Sequence, residues 1–302
     1  MRVAIVTSRE ELYHQHLCVE IARRHEVVAV LHPRAREFSR RESRQMRQDN
    51  LRKFGYVHHL LQRLARNRYF TLGWDEQADL QQAQQRFFPG VEADYQRHVA
   101  PLARDVDDVN SPDGIALLRS FRPDVVVCSG GPIYRAPLIE AVQLMLNFHT
   151  GISPLYNGSS TIYWTFANRQ PQLTGGTLMT MSAVVDGGDI LAHYLPEVEA
   201  DDTPAAQFMK CLIGGTRLYC EFLDHLAQGK PFVGVRQGRP LFNYYGSDWT
   251  VAQNLAIARS IDKRICARHV RPEIVRRYWH HESRDSATSA VRQTLMELIY
   301  HG

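Results

Sequence analysis

The chain has 302 residues, 44% of them apolar and 23% charged, with a formal net charge of +4. Those values fit a globular protein with a sizeable core, arranged as one large domain or two unequal ones. No run of about 18 apolar residues occurs, which excludes a membrane-spanning helix, and so small a positive surplus does not by itself call for nucleic acid. Cys18, Cys128, Cys211, Cys220 and Cys266 are scattered without a CxxC pair, which argues for reduced thiols, a cytoplasmic location and no zinc site.

The opening MRVAIVTSREE has too short an apolar stretch for a signal peptide and reads as a first buried strand over 2–7. A helix is expected over 9–24 and a second strand, EVVAVLH, over 26–32. Strand, helix, strand opens an α/β sheet with right-handed crossovers. No GxGxxG follows the first strand, so the dinucleotide fingerprint is absent there. From 34 to about 100 the alternation gives way to an Arg- and Gln-rich stretch, read as a mostly helical insertion. Its first half, 34–68, holds many arginines and few acids. It is either a solvated helical face or a patch for a phosphorylated or otherwise anionic partner.

Alternation resumes at ARDVDDVNSPDG, where Ser111 is placed to cap a helix with Pro112 at its first position. There follow a strand ending in Gly-Gly (RPDVVVCSGG), a short helix (APLIEA), a strand (LMLNFH), a loop (TGISPLYNGSS) and a helix starting near Ser160. GGTLMTMSAVVDGGDILAHYLPEV reads as two strands joined near VDGGD by a tight Asp-Gly turn. A long helix is bounded by Thr203 as N-cap and Gly229 as its stop. The expected architecture is α/β: a Rossmann-like, mostly parallel sheet flanked by helices. Residues 1–230 are expected to form the main domain, with the helical insertion at about 34–100, and 231–302 a small C-terminal subdomain.

Asn147 and His149 stand two apart at the end of one of these strands, where open parallel sheets collect ligands. Period-two geometry points both to one side. The loop after them carries Gly151, Pro154 and Gly158, and such a loop lets backbone approach a ligand closely. Asp186 lies at a Gly-rich turn further on. An amide can donate to a developing oxyanion, an imidazole can donate or shuttle a proton, and a carboxylate can hold that imidazole. No G-x-S-x-G elbow or cysteine accompanies them, so the set suits a transfer in which the substrate brings its own nucleophile. His280 and His281 are adjacent rather than three or four apart, which favours a solvated surface over a metal site, and the same holds for His58 and His59. Trp164 and Phe166 are expected to pack the core. FNYYGSDWT (242–250) reads as a hairpin-like surface or as aromatics that stack on a base.

The order strand, NFHTGISPLYNG, helix with a Trp, TGGTLMTM, VVDGGDIL resembles the 10-formyltetrahydrofolate-dependent formyltransferase family, which includes methionyl-tRNA, glycinamide ribonucleotide and amino-sugar N-formyltransferases. Asn147, His149, Gly151, Pro154, Tyr156 and Gly158 match its first motif, and Val185, Asp186, Gly188 and Ile190 its second. The resemblance is good over roughly 100–230, and Asn157 stands where many relatives carry Arg. It implies a catalytic triad of Asn147, His149 and Asp186, 10-formyltetrahydrofolate as co-substrate, and a folate pocket lined by Ile133, Tyr134 and Arg135 and by Ser182, Ala183, Val184 and Val185. No metal is expected. The leading acceptor is a small-molecule amine, foremost a nucleotide-linked amino sugar whose diphosphate the Arg-rich insertion would hold. The alternatives are an amino-acid-derived amine, methionyl-tRNA, or water in a 10-formyltetrahydrofolate hydrolase. A homodimer through the C-terminal segment is a further option.

Overall fold

A computed structural model describes residues 1–34, 39–66 and 74–301. The first strand, β1 (Arg2–Thr7), leads through α1 (Leu12–Ala22) into β2 (Glu26–Pro33). Helical segments follow: α2 (Arg40–Arg66), which breaks at Gly55 (φ +82°), then α3 (Glu76–Phe87) and α4 (Val91–His98). Then come β3 (Ala103–Val106), α5 (Pro112–Ser120), β4 (Val125–Ser129), α6 (Ala136–Glu140) and β5 (Met145–His149). Parts of the Arg-rich insertion, 35–38 and 67–73, lie outside the described residues.

Ser111 caps α5 as expected, its hydroxyl accepting from Gly114 N–H at 3.0 Å, with Pro112 at N1. After β5 come the two-residue β6 (Asn157–Gly158), α7 (Thr161–Ala167), β7 (Gly176–Thr180), β8 (Ile190–Leu195) and α8 (Pro204–Ala227). Thr203 caps α8 by accepting from Ala206 N–H, and Gly229 takes φ +68° just beyond its end. The chain closes with β9 (Asn243–Tyr244), α9 (Val251–Asp262), β10 (Ile274–Arg277) and α10 (Arg284–His301).

Eight strands form one sheet in the order β10-β8-β7-β5-β4-β1-β2-β3. β3, β2, β1, β4 and β5 pair in parallel, while β7, β8 and β10 join antiparallel in turn. Six of the eight therefore run the same way. The inner parallel strands β1, β2, β4 and β5 are largely buried, which is why they read as apolar runs, whereas the edge strand β3 exposes Arg104 and Asp105. Val3, Ile5, Val125 and Val127 face one layer with Leu17, Ile21, Met209 and Phe222 of α1 and α8. Ala4, Val6, Val126 and Cys128 face the other with Leu118 and Leu138 of α5 and α6.

Two local expectations change. The joint between β7 and β8 is a nine-residue loop, 181–189, instead of a tight turn. Its far end is pinned where Asp189 N–H donates to Thr180 Oγ1 at 3.0 Å. Gly188 passes so close that a Cβ there would stand 1.6 Å from Thr180 O. The C-terminal segment does not sit apart from the sheet: β10 forms its edge, and Arg277 makes a bidentate pair with Glu221 of α8 at 2.6 and 2.9 Å. The five cysteines are all buried and unpaired. Among the described residues, no helix is long and apolar enough to cross a membrane.

Candidate active site

β1 and β4 are neighbours in the sheet while the chain passes through β2 and β3 between them, so the strand order reverses there. Crevices at the carboxyl ends of strands beside such a reversal are where α/β sheets bind ligands. A cavity of about 770 Å³ opens at the ends of β4 and β5, lined by Ser129 and Gly130, by Asn147 to Thr150, and by the 181–189 loop.

Asn147 and His149 reach this cavity from the same strand, as their spacing requires. Asn147 is half-buried, and its side-chain amide makes no hydrogen bond among the described residues. A donor left unpaired at a cavity wall is ready for a ligand oxygen. His149 is buried, and its Nε2–H donates to Tyr156 O at 2.9 Å. Its Nδ1 lies 3.4 Å from Asp186 Oδ1. That separation is longer than a strong N–H···O bond, so Nδ1 is the nitrogen that a ligand oxygen can share.

Asp186 is held from three directions. Its backbone takes φ +51°, a left-handed conformation that Asp tolerates better than most residues. Its Oδ2 accepts from Gly158 N–H at 2.9 Å. Its carbonyl accepts from Asn157 Nδ2 at 3.3 Å. Gly158 in turn has φ +102° and lies against β9, where a Cβ would come within 2.0 Å of Tyr244 O. Gly151 is equally constrained, since a Cβ there would stand 2.5 Å from His149 Nε2 and 2.1 Å from Tyr156 O. The glycines of the motif thus set the distance between His149 and Asp186.

Ile133, Tyr134, Ser182, Ala183, Val184 and Val185 all line the cavity. Ile133, Val184 and Val185 are 70%, 70% and 60% exposed. Apolar side chains left open on two facing loops fit a flat aromatic ligand held between them. Arg135 is not among the lining residues: it precedes α6, and its backbone N–H donates to Asn110 Oδ1 at 2.8 Å. Trp164 and Phe166 are buried as expected. Tyr244 stacks on Tyr156 at 5.1 Å and lines the cavity with Asn243, Tyr245 and Gly246. β9 thereby brings Tyr244 and Tyr245 to the rim, pairing with β6 instead of folding into a hairpin.

Sequence reasoning passed over Tyr13, His14 and Ser129, and also Phe208 and Leu212 of α8, all of which line the same cavity. A signal was present for His14: it follows the first strand at its carboxyl end, on the first turn of α1. Burial pushes the His14 pKa down to about 4, partly offset by Glu11. No group of residues that could hold a metal ion occurs among the described residues.

Residues 75–219 match the family model described as formyl transferase. A methionyl-tRNA formyltransferase of Citrifermentans bemidjiense is 30% identical over 149 residues, 49% of this chain and 46% of that protein. One from Fervidobacterium nodosum is 30% identical over 112 residues, 37% of this chain and 36% of that protein. The match thus spans about half the length of the first of these relatives and less of the second. Among solved structures, an N-formyltransferase of Helicobacter canadensis in complex with folinic acid and dTDP-3-aminofucose superposes with TM-score 0.52 at 12% identity, covering 86% of this chain and 80% of that one. A 4-N formyltransferase of Francisella tularensis gives 0.50 at 14%, covering 86% and 87%. At these identities the superpositions establish the shared fold.

Proposed function

We propose that this chain, whose residues 75–219 are a formyl transferase-family segment, is an N-formyltransferase. It moves a formyl group from 10-formyltetrahydrofolate to a primary amine. The observation that carries this reading is the convergence of Asn147, His149 and Asp186 on one cavity, with His149 Nδ1 3.4 Å from the carboxylate. The Asn147 amide donates to the formyl oxygen as negative charge develops on it. His149, anchored through Nε2, donates from Nδ1–H to the same oxygen when its ring carries both protons; as the C–N10 bond breaks, the proton shed by the attacking amine passes by way of Asp186 or water to N10 of the departing tetrahydrofolate. Asp186 fixes the ring and balances its charge. No nucleophile of the protein is required, because the amine attacks directly. The exposed Ile133, Val184 and Val185 support a pterin ring between the two loops.

A small amine carried on a nucleotide is the acceptor we favour. The aromatic rim at Tyr244 and Tyr245 would receive a base. The Arg-rich α2 is tied to that rim by the ion pair of Lys53 with Asp248, which follows Tyr245 and Gly246. The ligand pair in the Helicobacter canadensis complex is in keeping with this. We read 1–230 as the catalytic unit and 231–302 as the segment that closes its acceptor side. The five buried free thiols support a cytoplasmic setting.

The test is a screen with 10-formyltetrahydrofolate against dTDP-3-aminofucose, ornithine and methionyl-tRNA, following tetrahydrofolate release. Release that depends on an amine, with one formylated product per tetrahydrofolate, supports the reading. Equal release without any amine would assign the site to hydrolysis instead.

A further inference from the structure

The cavity holds a second polar pair that the mechanism above leaves idle. Taken in the order of the strands, Asp186 follows β7, His149 and Asn147 end β5, Ser129 ends β4, and His14 begins the helix after β1. Cys128 is in register with Asn147, so Ser129 lies one residue beyond Asn147's neighbour, on a strand about 4.8 Å away. Ser129 Oγ is 3.1 Å from His14 Nδ1, and both residues are buried at the cavity wall.

We propose that Ser129 and His14 seat the acceptor amine: Ser129 Oγ accepts the amine N–H, and its own proton is directed to His14 Nδ1. This rests on the formyl-transfer reading and extends it to the acceptor side of the site.

The direction of the hydroxyl follows from the groups around His14. Burial and His32 both disfavour a charge on the ring, Glu11 favours one, and the balance leaves the ring neutral near pH 7. A neutral imidazole has one N–H and one lone pair. Glu11 Oε2 stands 4.0 Å from Nε2 and is itself bonded by Ser8 Oγ. A carboxylate on that side favours the tautomer protonated at Nε2. Nδ1 then carries the lone pair, Ser129 donates to it, and the hydroxyl's own lone pairs are left for a ligand.

Gly130 leaves the far edge of the His14 ring uncrowded. Its φ is +69°, and a Cβ there would lie 3.2 Å from both Cε1 and Nε2 of His14. A larger residue would crowd the ring edge.

The chemistry needs such a seat. The attacking nitrogen must aim its lone pair at the formyl carbon, and it gains positive charge as the bond forms. An uncharged acceptor beside its N–H steers the lone pair and stabilises that charge. A cationic His14 would repel it. Asn147, a donor, thus meets the formyl oxygen, and Ser129, an acceptor, the attacking nitrogen. The Tyr13 ring stands 4.4 Å from that of His14 and 5.5 Å from that of Phe208, and Leu212 lines the same cavity, which fits an amine borne on a carbon with apolar neighbours.

The experiment uses the amine that the screen finds to be formylated, with wild type, Ser129→Ala, His14→Phe, His14→Gln and the Ser129→Ala/His14→Phe double variant. Ser129→Ala should lower kcat/KM for the amine by about 10- to 100-fold, the loss typical of a hydrogen bond to a charged group. Folinic acid affinity should stay at the wild-type level. His14→Phe should fall in the same direction, and the double variant should be no worse than Ser129→Ala, because His14 acts through the hydroxyl. His14→Gln, whose carbonyl can accept the same proton, should recover part of the loss. Wild-type kcat/KM in Ser129→Ala overturns the proposal. So does a double variant that loses the product of the two single effects, or folinic acid affinity that falls in step with turnover. A wild-type enzyme that formylates none of the amines instead sinks the functional reading on which the proposal rests.

Discussion

Replacing Asp186 separates the chemistry of the site from its architecture. The side chain does two jobs: Oδ1 faces His149 Nδ1 at 3.4 Å, and Oδ2 accepts from Gly158 N–H at 2.9 Å. Asp186→Ala removes both. The orphaned N–H costs about 1–3 kcal/mol, and Ala at φ +51° adds about 1 kcal/mol because only Gly, Asn and Asp visit that region readily. At about 2–4 °C per kcal/mol, the melting temperature should drop by several degrees. Asp186→Asn tolerates the same backbone and can still accept from Gly158, so its melting temperature should stay within about 2 °C of wild type. It carries no negative charge, however, and it can present an amide N–H to His149. Loss of a carboxylate that orients a catalytic histidine lowers turnover by about 10⁴ in the Ser-His-Asp case, and we expect about 10² to 10⁴ here. The assay is tetrahydrofolate release with the selected amine, alongside thermal unfolding. Asp186→Asn with wild-type turnover would refute a chemical role for the charge. Equal destabilisation of both variants would make Asp186 an architectural residue.

Asn147→Ala and His149→Ala should each reduce turnover by about 10² to 10³, the usual cost of losing one preorganised donor to an oxyanion; steady-state rates check this, and an unchanged rate removes that residue from the mechanism. Gly158→Ala should destabilise the fold and impair turnover together, since its Cβ would meet Tyr244 O at 2.0 Å; a variant with wild-type stability would show that β6 and β9 part without cost. Stability should also fall in mild acid. His193 is fully enclosed, its Nε2–H donating to Ser153 O at 2.9 Å and its Nδ1 lying 3.0 Å from the Tyr278 hydroxyl, and burial lowers its pKa from 6.5 to about 4. The unfolded chain takes up the proton first, so this contribution is complete above pH 6.5 and drains away toward pH 4, by about 1.4 kcal/mol per pH unit. His14, also lowered to about 4, acts in the same direction. Urea unfolding between about pH 6.5 and pH 5, above most carboxylate titration, measures the slope, and constant stability there contradicts it.

The sheet could be read from the chain because its central strands are buried on both faces. RVAIVT, EVVAVLH and RPDVVVCS carry no polar alternation to confuse them with anything else. Helix starts at Ser111 and Thr203 were legible because a capping oxygen must be supplied locally, within three residues. β10 and β9 were not. Ile274–Arg277 is a half-exposed edge strand with two arginines, and Asn243–Tyr244 is a two-residue pairing with Gly158's neighbourhood. Neither leaves a periodic signal of its own.

The same distinction applies to the site. Asn147 and His149 share a strand, so their side-by-side placement is dictated by the pleat. Asp186 had to be brought in on the loop between β7 and β8, and only the glycines around it hinted at close packing. The Ser129–His14 contact joins residues 115 positions apart, with no shared motif to link them. Arg135 is the opposite case, lying outside the residues that line the cavity. It adjoins Ile133 and Tyr134 in sequence, but the chain turns into α6 there and its backbone is engaged by Asn110.

The claim at the centre of this account is met most directly by following labelled formyl from 10-formyltetrahydrofolate in the wild-type protein and in Asn147→Ala, with and without the amine. Label should appear in the amine, mole for mole with tetrahydrofolate, and the Asn147→Ala variant should bind folinic acid normally while transferring at least about 100-fold more slowly. Label released as formate at the same rate whether or not amine is present, or transferred as fast without the Asn147 amide, would contradict it.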